Sequence, residues 1–180
     1  QRNDWFWSES RMTYANAVLP HALFDAAELW DDAPYRDAAE TTFGFLSLST
    51  FCDAQFAPIG NRDWYSRGEE KSVFDQQPVE ASTMAAAALA ALRVTGQAKY
   101  QRIFEQSCAW FTGENNLGIA LANPADGSCF DGLTPKGVNK NQGAESTLAY
   151  LWTEVLRVQQ VVPHNIKVPV DSSCVPVDIT

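Results

Sequence analysis

Carboxylates and carboxamides are concentrated in two segments of this chain, 75–82 and 139–147. The residues with binding chemistry are Asp75, Gln76, Gln77 and Glu80 in the first segment and Asn141, Gln142 and Glu145 in the second. Carboxamides both donate and accept hydrogen bonds and ionised carboxylates accept them, so such a set can bind the hydroxyl groups of a sugar. The same residue types also satisfy free backbone N–H groups in the first turn of a helix. Ligand binding and helix capping are therefore both open explanations.

The helical period of apolar residues predicts the elements that position these side chains. Five helices are predicted, over residues 14–30, 34–51, 77–95, 98–112 and 142–160, and the apolar face of the fifth consists of Leu148, Leu151, Trp152, Val155 and Leu156. The connections after the first and third helices are short, which makes the joined helices antiparallel, whereas the loops 51–76 and 113–141 are long. In an up-and-down array both long loops lie at one end, together with Glu80 and Glu145.

The predicted fold is therefore all-α, built from antiparallel helical hairpins with two long loops at one end. Residues 1–160 form the helical domain, and residues 161–180, which contain prolines and valines without a helical period, form an extended tail. Loops of this length in a small domain are usually functional. Both loops are rich in residues with binding chemistry. In the first they are Phe56, Asn61, Arg62, Asp63, Trp64, Tyr65, Arg67 and Asp75, and in the second Glu114, Asn115, Asn116, Asn123, Asp126, Asp131 and Asn139.

The aromatic pair in the first loop and the acid in the second each have two interpretations. Trp64 and Tyr65 either stack on sugar rings, whose C–H faces match aromatic faces, or fold back into a small core of the loop itself. Asp131 precedes Gly132, which is a turn signal, and is also a candidate functional acid.

Composition excludes several classes of partner. The chain has 180 residues, 46% of them hydrophobic, with a formal net charge of -9. An acidic surface argues against nucleic acid or an anionic membrane as the main partner, and no apolar run reaches the roughly 20 residues of a membrane span. The four cysteines form no Cys-x-x-Cys pair and there are two histidines, which argues against a zinc site and leaves disulfides open. A cytoplasmic domain without a cofactor, binding a neutral or cationic ligand, is expected.

Three segments in order form a recognisable pattern. They are 74–81 (Phe-Asp-Gln-Gln-Pro-Val-Glu-Ala), 123–133, and 141–149 (Asn-Gln-Gly-Ala-Glu-Ser-Thr-Leu-Ala). Together they resemble helical domains of bacterial glycosyltransferase proteins, of the six-hairpin glycosidase-like (α/α) toroid class. The resemblance covers 12–157 and implies part of an (α/α)6 toroid in a carbohydrate context. Since a complete toroid has more helices than the five predicted, it also implies further helical hairpins or a transferase domain, and an exposed apolar flank.

Two functions are weighed equally. In a glycosidase-like domain one acid protonates the glycosidic oxygen while another activates water or attacks carbon, and the candidates are Glu80, Glu145, Asp75 and Asp131. Because a helix N-terminus lowers the pKa of a carboxyl group, Asp131 or Asp75 is favoured as the proton donor, with Glu145 or Glu80 holding the ligand. The alternative is a non-catalytic carbohydrate-binding or scaffold module using the same residues. Sugar isomerisation would require histidine bases, and only His21 lies near the right end.

Overall fold

The computed structural model describes residues 4–52 and 55–161. The five predicted helices are present in this part of the chain. They are α1 (Val18–Trp30), α2 (Ala33–Thr50), α3 (Pro78–Thr95), α4 (Ala98–Phe111) and α5 (Ala144–Val161). The helices that precede the two short links, α1 and α3, each end at a residue in the left-handed conformation. At Gly96, the residue after α3, φ is 67° and the backbone N–H donates to the carbonyl of Leu92. Glycine adopts this conformation without a Cβ penalty, which is why the end of α3 is predictable from sequence.

The prediction of an all-α fold is wrong, because three small antiparallel sheets of two strands each accompany the helices. The strands are β1 (Arg11–Met12), β2 (Phe51–Cys52), β3 (Gln55–Phe56), β4 (Tyr65–Ser66), β5 (Gly132–Thr134) and β6 (Gly137–Asn139). β1 pairs with β4, β2 with β3 and β5 with β6. Strands of two or three residues are too short to leave an alternating pattern in the sequence. The fold is mixed α and β, and the structure does not show a six-hairpin toroid.

Helix α3 is the centre of the helical packing, with α1, α4 and α5 all in contact with it. Its side chains are mostly alanine, and Ala85, Ala87 and Ala88 are fully buried. Small side chains let neighbouring helices approach closely, and larger rings from those helices complete the core. Phe24 of α1 lies edge-on to Phe43 of α2, with ring centroids 5.9 Å apart. This arrangement places the N-termini of α3 and α5 side by side.

The apolar face predicted for α5 is not its buried face. Leu148, Leu151, Trp152 and Val155 are exposed, and only Leu156 of the predicted set is half-buried. The residues of α5 that pack against the rest of the fold are Ser146, Ala149, Tyr150 and Thr153. Apolar side chains are therefore exposed along α5, although the partial toroid from which an exposed flank is predicted is not shown.

The predicted tail lies almost wholly outside the described residues. Val161 is the last residue of α5, and 162–180 are beyond the described range. Within the described range, none of the helices combines the length and apolar character needed to cross a bilayer.

Candidate functional site

A polar cleft of about 550 Å³ opens where the two long loops meet the N-termini of α3 and α5. Its lining residues are Asn61, Asp75, Gln76, Gln77, Asp131, Gly132, Thr134, Asn139, Gly143, Ala144, Glu145 and Ser146. The two loops thus lie at the same end as Glu145 and as the first turn of α3, which carries Glu80, as the sequence predicts. Asn61 and Asn139, which are predicted from the sequence as loop residues with binding chemistry, belong to this cleft, whereas no pattern in the sequence indicates Thr134.

Backbone hydrogen bonds join the two loops at the floor of the cleft. The N–H of Gln76 donates to the carbonyl of Leu133 and the N–H of Leu133 donates to the carbonyl of Gln76, both at 2.9 Å. A Cβ at Gly132 would lie 2.5 Å from the carbonyl oxygen of Gln76, so only glycine permits this approach. Within the first loop, Asn61 N–H donates to the carbonyl of Asp75 at 2.8 Å. The cleft walls are therefore fixed relative to one another.

The side chain of Gln76 supports the cleft from below and is not available to a ligand. It is fully buried. Its Oε1 accepts from Trp110 Nε1 at 3.0 Å, and its Nε2 donates to the Val73 carbonyl at 2.8 Å and to Asn116 Oδ1 at 2.6 Å. Of the predicted binding pair Gln76 and Gln77, only Gln77 presents a half-exposed side chain at the cleft, and it makes no capping hydrogen bond to α3.

Asp131 is held at the start of α5. Its carboxylate accepts hydrogen bonds from the Gly143 N–H at 2.7 Å, from Asn141 Nδ2 and from the side chain of Ser146. Burial by itself raises the pKa of Asp131, but these hydrogen bonds together outweigh it and hold the pKa below its ordinary value. An acid with a lowered pKa is poorly suited to donate a proton at neutral pH, which goes against the favoured role of Asp131. Asn141, predicted to bind substrate, is occupied in holding this carboxylate.

Glu145 lies in the first turn of α5 with its side chain exposed at the cleft. It accepts a hydrogen bond from the hydroxyl of Tyr14. Burial, this hydrogen bond, and the charges of Glu145 and Glu80 raise the pKa of Tyr14 to about 12, so the hydroxyl keeps its proton and remains a donor. Tyr14 is a site residue that sequence reasoning missed, since it lies 131 positions from Glu145 and no motif connects them.

Glu80 is a buried acid beside the cleft and is not one of its lining residues. Its carboxylate accepts from the Ala15 N–H at 2.5 Å and, at 3.4 Å, from the Asn16 N–H and the Asn16 side chain. Burial raises the pKa of Glu80 to about 7, although these hydrogen bonds lower it, and the charge of Glu145 adds to the rise. Glu80 thus holds the turn that precedes α1 and carries Tyr14. Neither ligand binding nor capping of its own helix therefore accounts for Glu80, because its carboxylate satisfies backbone N–H groups of a different segment, the turn before α1.

The raised pKa of Glu80 predicts a fall in stability as pH increases. Between its ordinary value of 4.5 and about 7, the folded protein retains a proton that the unfolded chain has lost. The resulting stabilisation of the folded state is complete below the pKa that Glu80 has in the unfolded chain, and it is lost as the pH rises through the pKa that Glu80 has in the folded protein. Its upper bound is about 3 kcal/mol. Urea unfolding between about pH 5 and pH 8 should show the loss in the wild type and not in Glu80→Gln. Equal pH dependence in the two proteins would contradict the assignment.

The remaining predicted residues divide between the cleft and its surroundings. Asp75 lines the cleft and lies 3.5 Å from Arg62 Nη2. Trp64 and Tyr65 are half-buried against the main hydrophobic core, with the ring of Tyr65 5.1 Å from that of Trp5. These contacts argue against stacking on a sugar, and they belong to the main core and not to a separate core of the loop. The predicted binding residues that do not line the cleft are Trp64, Tyr65, Arg67, Asn141 and Gln142. Gln142 instead donates to Ser128 Oγ at 3.1 Å.

Among the described residues, no group of three or more histidine, cysteine, aspartate or glutamate side chains is placed to hold a metal ion. Cys108 is half-buried in α4, and burial raises its pKa to about 12, as is expected of an unreactive thiol. No family model and no curated protein sequence matches this chain.

Proposed function

We propose that the cleft binds a neutral carbohydrate through the side chains of Glu145, Asp75, Asn61, Gln77 and Asn139. The observation that carries the proposal is the convergence of carboxylates and carboxamides from both loops and two helix N-termini on one cleft. Its volume of about 550 Å³ is within the range of small-molecule sites. Donors and acceptors on several sides suit a polyol, whose hydroxyl groups need both.

The carbohydrate context has a second source of support. Each of the three segments that resemble glycosyltransferase-associated domains contributes to the cleft, through Asp75 and Gln77, through Asp131 and Gly132, and through Glu145. Residues that are far apart in the sequence thus share one surface. Association with a glycosyltransferase is part of the same proposal.

Binding without catalysis is the better supported form of this function. Asp131 is held by three hydrogen bonds with a lowered pKa, and Glu80 is buried outside the cleft lining. Asp75 lies opposite the guanidinium of Arg62. Among the predicted acids, Glu145 alone is exposed at the cleft with no opposing cation among its described contacts. Glycoside hydrolysis requires a pair of carboxyl groups at the scissile bond, so a single available acid favours binding over catalysis.

Nuclear magnetic resonance titration of the full chain tests the proposal. The probes are neutral oligosaccharides of glucose and of N-acetylglucosamine, and the side-chain amide signals of Asn61, Gln77 and Asn139 should shift and saturate. An oligosaccharide of uronic acids of the same length is the matched control, and it should bind more weakly because the cleft is acidic. Absence of shifts at millimolar glycan, or shifts confined to residues outside the cleft, would overturn the proposal.

A further inference from the structure

Helix α5 carries an uncovered apolar stripe on the side that faces away from the fold. The exposed fractions are 64% for Leu148, 42% for Leu151, 54% for Trp152, 45% for Val155 and 53% for Val158. Spacings of three and four residues place all five on one side of a helix. The opposite side, with Ser146, Ala149, Tyr150 and Thr153, is buried against the fold, so the stripe is a second side of the same helix. A helix of this kind is normally covered all round, since contiguous exposed apolar surface marks an interaction site.

The sequence that follows α5 has the composition of a segment that could cover this stripe. It begins directly after Val161, the last residue of α5, three residues beyond the end of the stripe at Val158. Its apolar residues alternate with polar residues and prolines in two runs, Ile166, Val168 and Val170, then Val175, Val177 and Ile179. Alternation of this kind gives an extended chain one apolar side.

Length also permits this segment to return along α5. The helix has 18 residues and is therefore about 27 Å long. An extended chain spans about 3.3 Å per residue, so roughly nine residues cover that length. Residues 162–180 supply enough chain for one alternating run to lie along the stripe after a reversal of direction.

We propose that residues 162–180 fold back on α5 and cover the stripe formed by Leu148, Leu151, Trp152, Val155 and Val158. A segment attached to the end of the helix has an effective concentration in the millimolar range at the stripe. A second copy of the chain must exceed that concentration to compete for the same surface. This interaction is independent of the carbohydrate cleft, which lies at the opposite end of α5 from Val161.

Fluorine resonance of 5-fluorotryptophan in the full chain measures the accessibility of Trp152. The chain has six tryptophans, and the variant Trp152→Phe assigns the signal. The variant Ile166→Asp with Val168→Asp places two charges on the apolar side of the first run. Lys167→Asp with Pro169→Asp places two on the other side and is the matched control. In the first double variant we expect the Trp152 signal to show the solvent isotope shift of an exposed indole. In the wild type and in the control variant the shift should be smaller, because the indole is protected from solvent.

Three results would overturn the proposal. An exposed Trp152 signal in the wild type would show that the stripe is uncovered. Protection that persists in the Ile166→Asp and Val168→Asp variant would show that something else covers it. Protection that disappears on dilution by about a hundredfold, with a matching change in sedimentation, would assign the stripe to a second copy of the chain. Far-UV circular dichroism of all variants checks that the helices are retained.

Discussion

Gly60→Ala is expected to lower the free energy of unfolding by about 3 kcal/mol or more. A Cβ at this position would lie 2.1 Å from the carbonyl oxygen, 2.3 Å from the carbonyl carbon and 2.6 Å from the nitrogen of Phe74. These are backbone atoms, which no rotamer change can move. Gly60 N–H also donates to the carbonyl of Ser72 at 2.8 Å, so the two segments of the loop that contain these residues are held together here. Separating them displaces Asn61 and Asp75, and glycan binding should weaken as well.

Gly44→Ala is the matched control for this substitution. Gly44 lies within α2, and an added Cβ meets no atom within 4 Å. Because alanine is favoured over glycine inside a helix by up to about 1 kcal/mol, this variant should be as stable as the wild type or more stable. Chemical denaturation of both variants gives the comparison. Similar midpoints for Gly60→Ala and Gly44→Ala would show that the contact with Phe74 does not constrain the loop.

The sequence was sufficient for the helices because their signals are local. Gly96 marks the end of α3, and short links determine which helices are antiparallel. The same signals placed both long loops and Glu145 at one end, which the cleft confirms. Topology alone thus locates a candidate site when connections alternate between short and long.

Long-range contacts explain what the sequence could not predict. The hairpin of Gly132–Thr134 with Gly137–Asn139 depends on pairing across a short turn, and three residues are too few for a period. On α5, periodicity predicts the exposed apolar stripe as the buried face, because it shows that an apolar face exists without showing which neighbour covers it. Ala149 and Thr153, which are buried, carry a weaker hydrophobic signal than the exposed Leu148.

The roles of the acids depend on burial and on partners that the sequence does not reveal. The helix N-terminus predicts a lowered pKa for Glu80 and leaves Asp131 as a favoured proton donor. Burial instead raises the pKa of Glu80, and hydrogen bonds at the start of α5 lower that of Asp131, so both pKa values shift in the direction opposite to the one predicted. Gln76 resembles a ligand residue in sequence, yet the indole of Trp110, more than 30 positions away, takes up its carbonyl oxygen.

Glu145→Gln is expected to weaken glycan binding by about tenfold or more, equivalent to about 1.4 kcal/mol, without a comparable loss of stability. Glu145 is exposed at the cleft, and its carboxylate is available to accept hydrogen bonds from sugar hydroxyls. Glutamine preserves the shape and can still accept the hydrogen bond from Tyr14, but it removes the charge that strengthens contacts with hydroxyl donors. The helix-dipole contribution lost with that charge is at most about 1 kcal/mol. Calorimetric titration with the neutral oligosaccharide that binds most tightly gives the affinity, and thermal unfolding gives the stability.

Glu69→Gln separates a direct contact from the general effect of removing one negative charge. Glu69 is an exposed residue of the first long loop and does not line the cleft. Affinity should therefore be unchanged in Glu69→Gln and reduced in Glu145→Gln at the same ionic strength. If both variants bind equally well and only Glu145→Gln unfolds at a lower temperature, the carboxylate of Glu145 serves the first turn of α5 alone. A loss of affinity with little loss of stability is instead the combination that helix capping cannot produce.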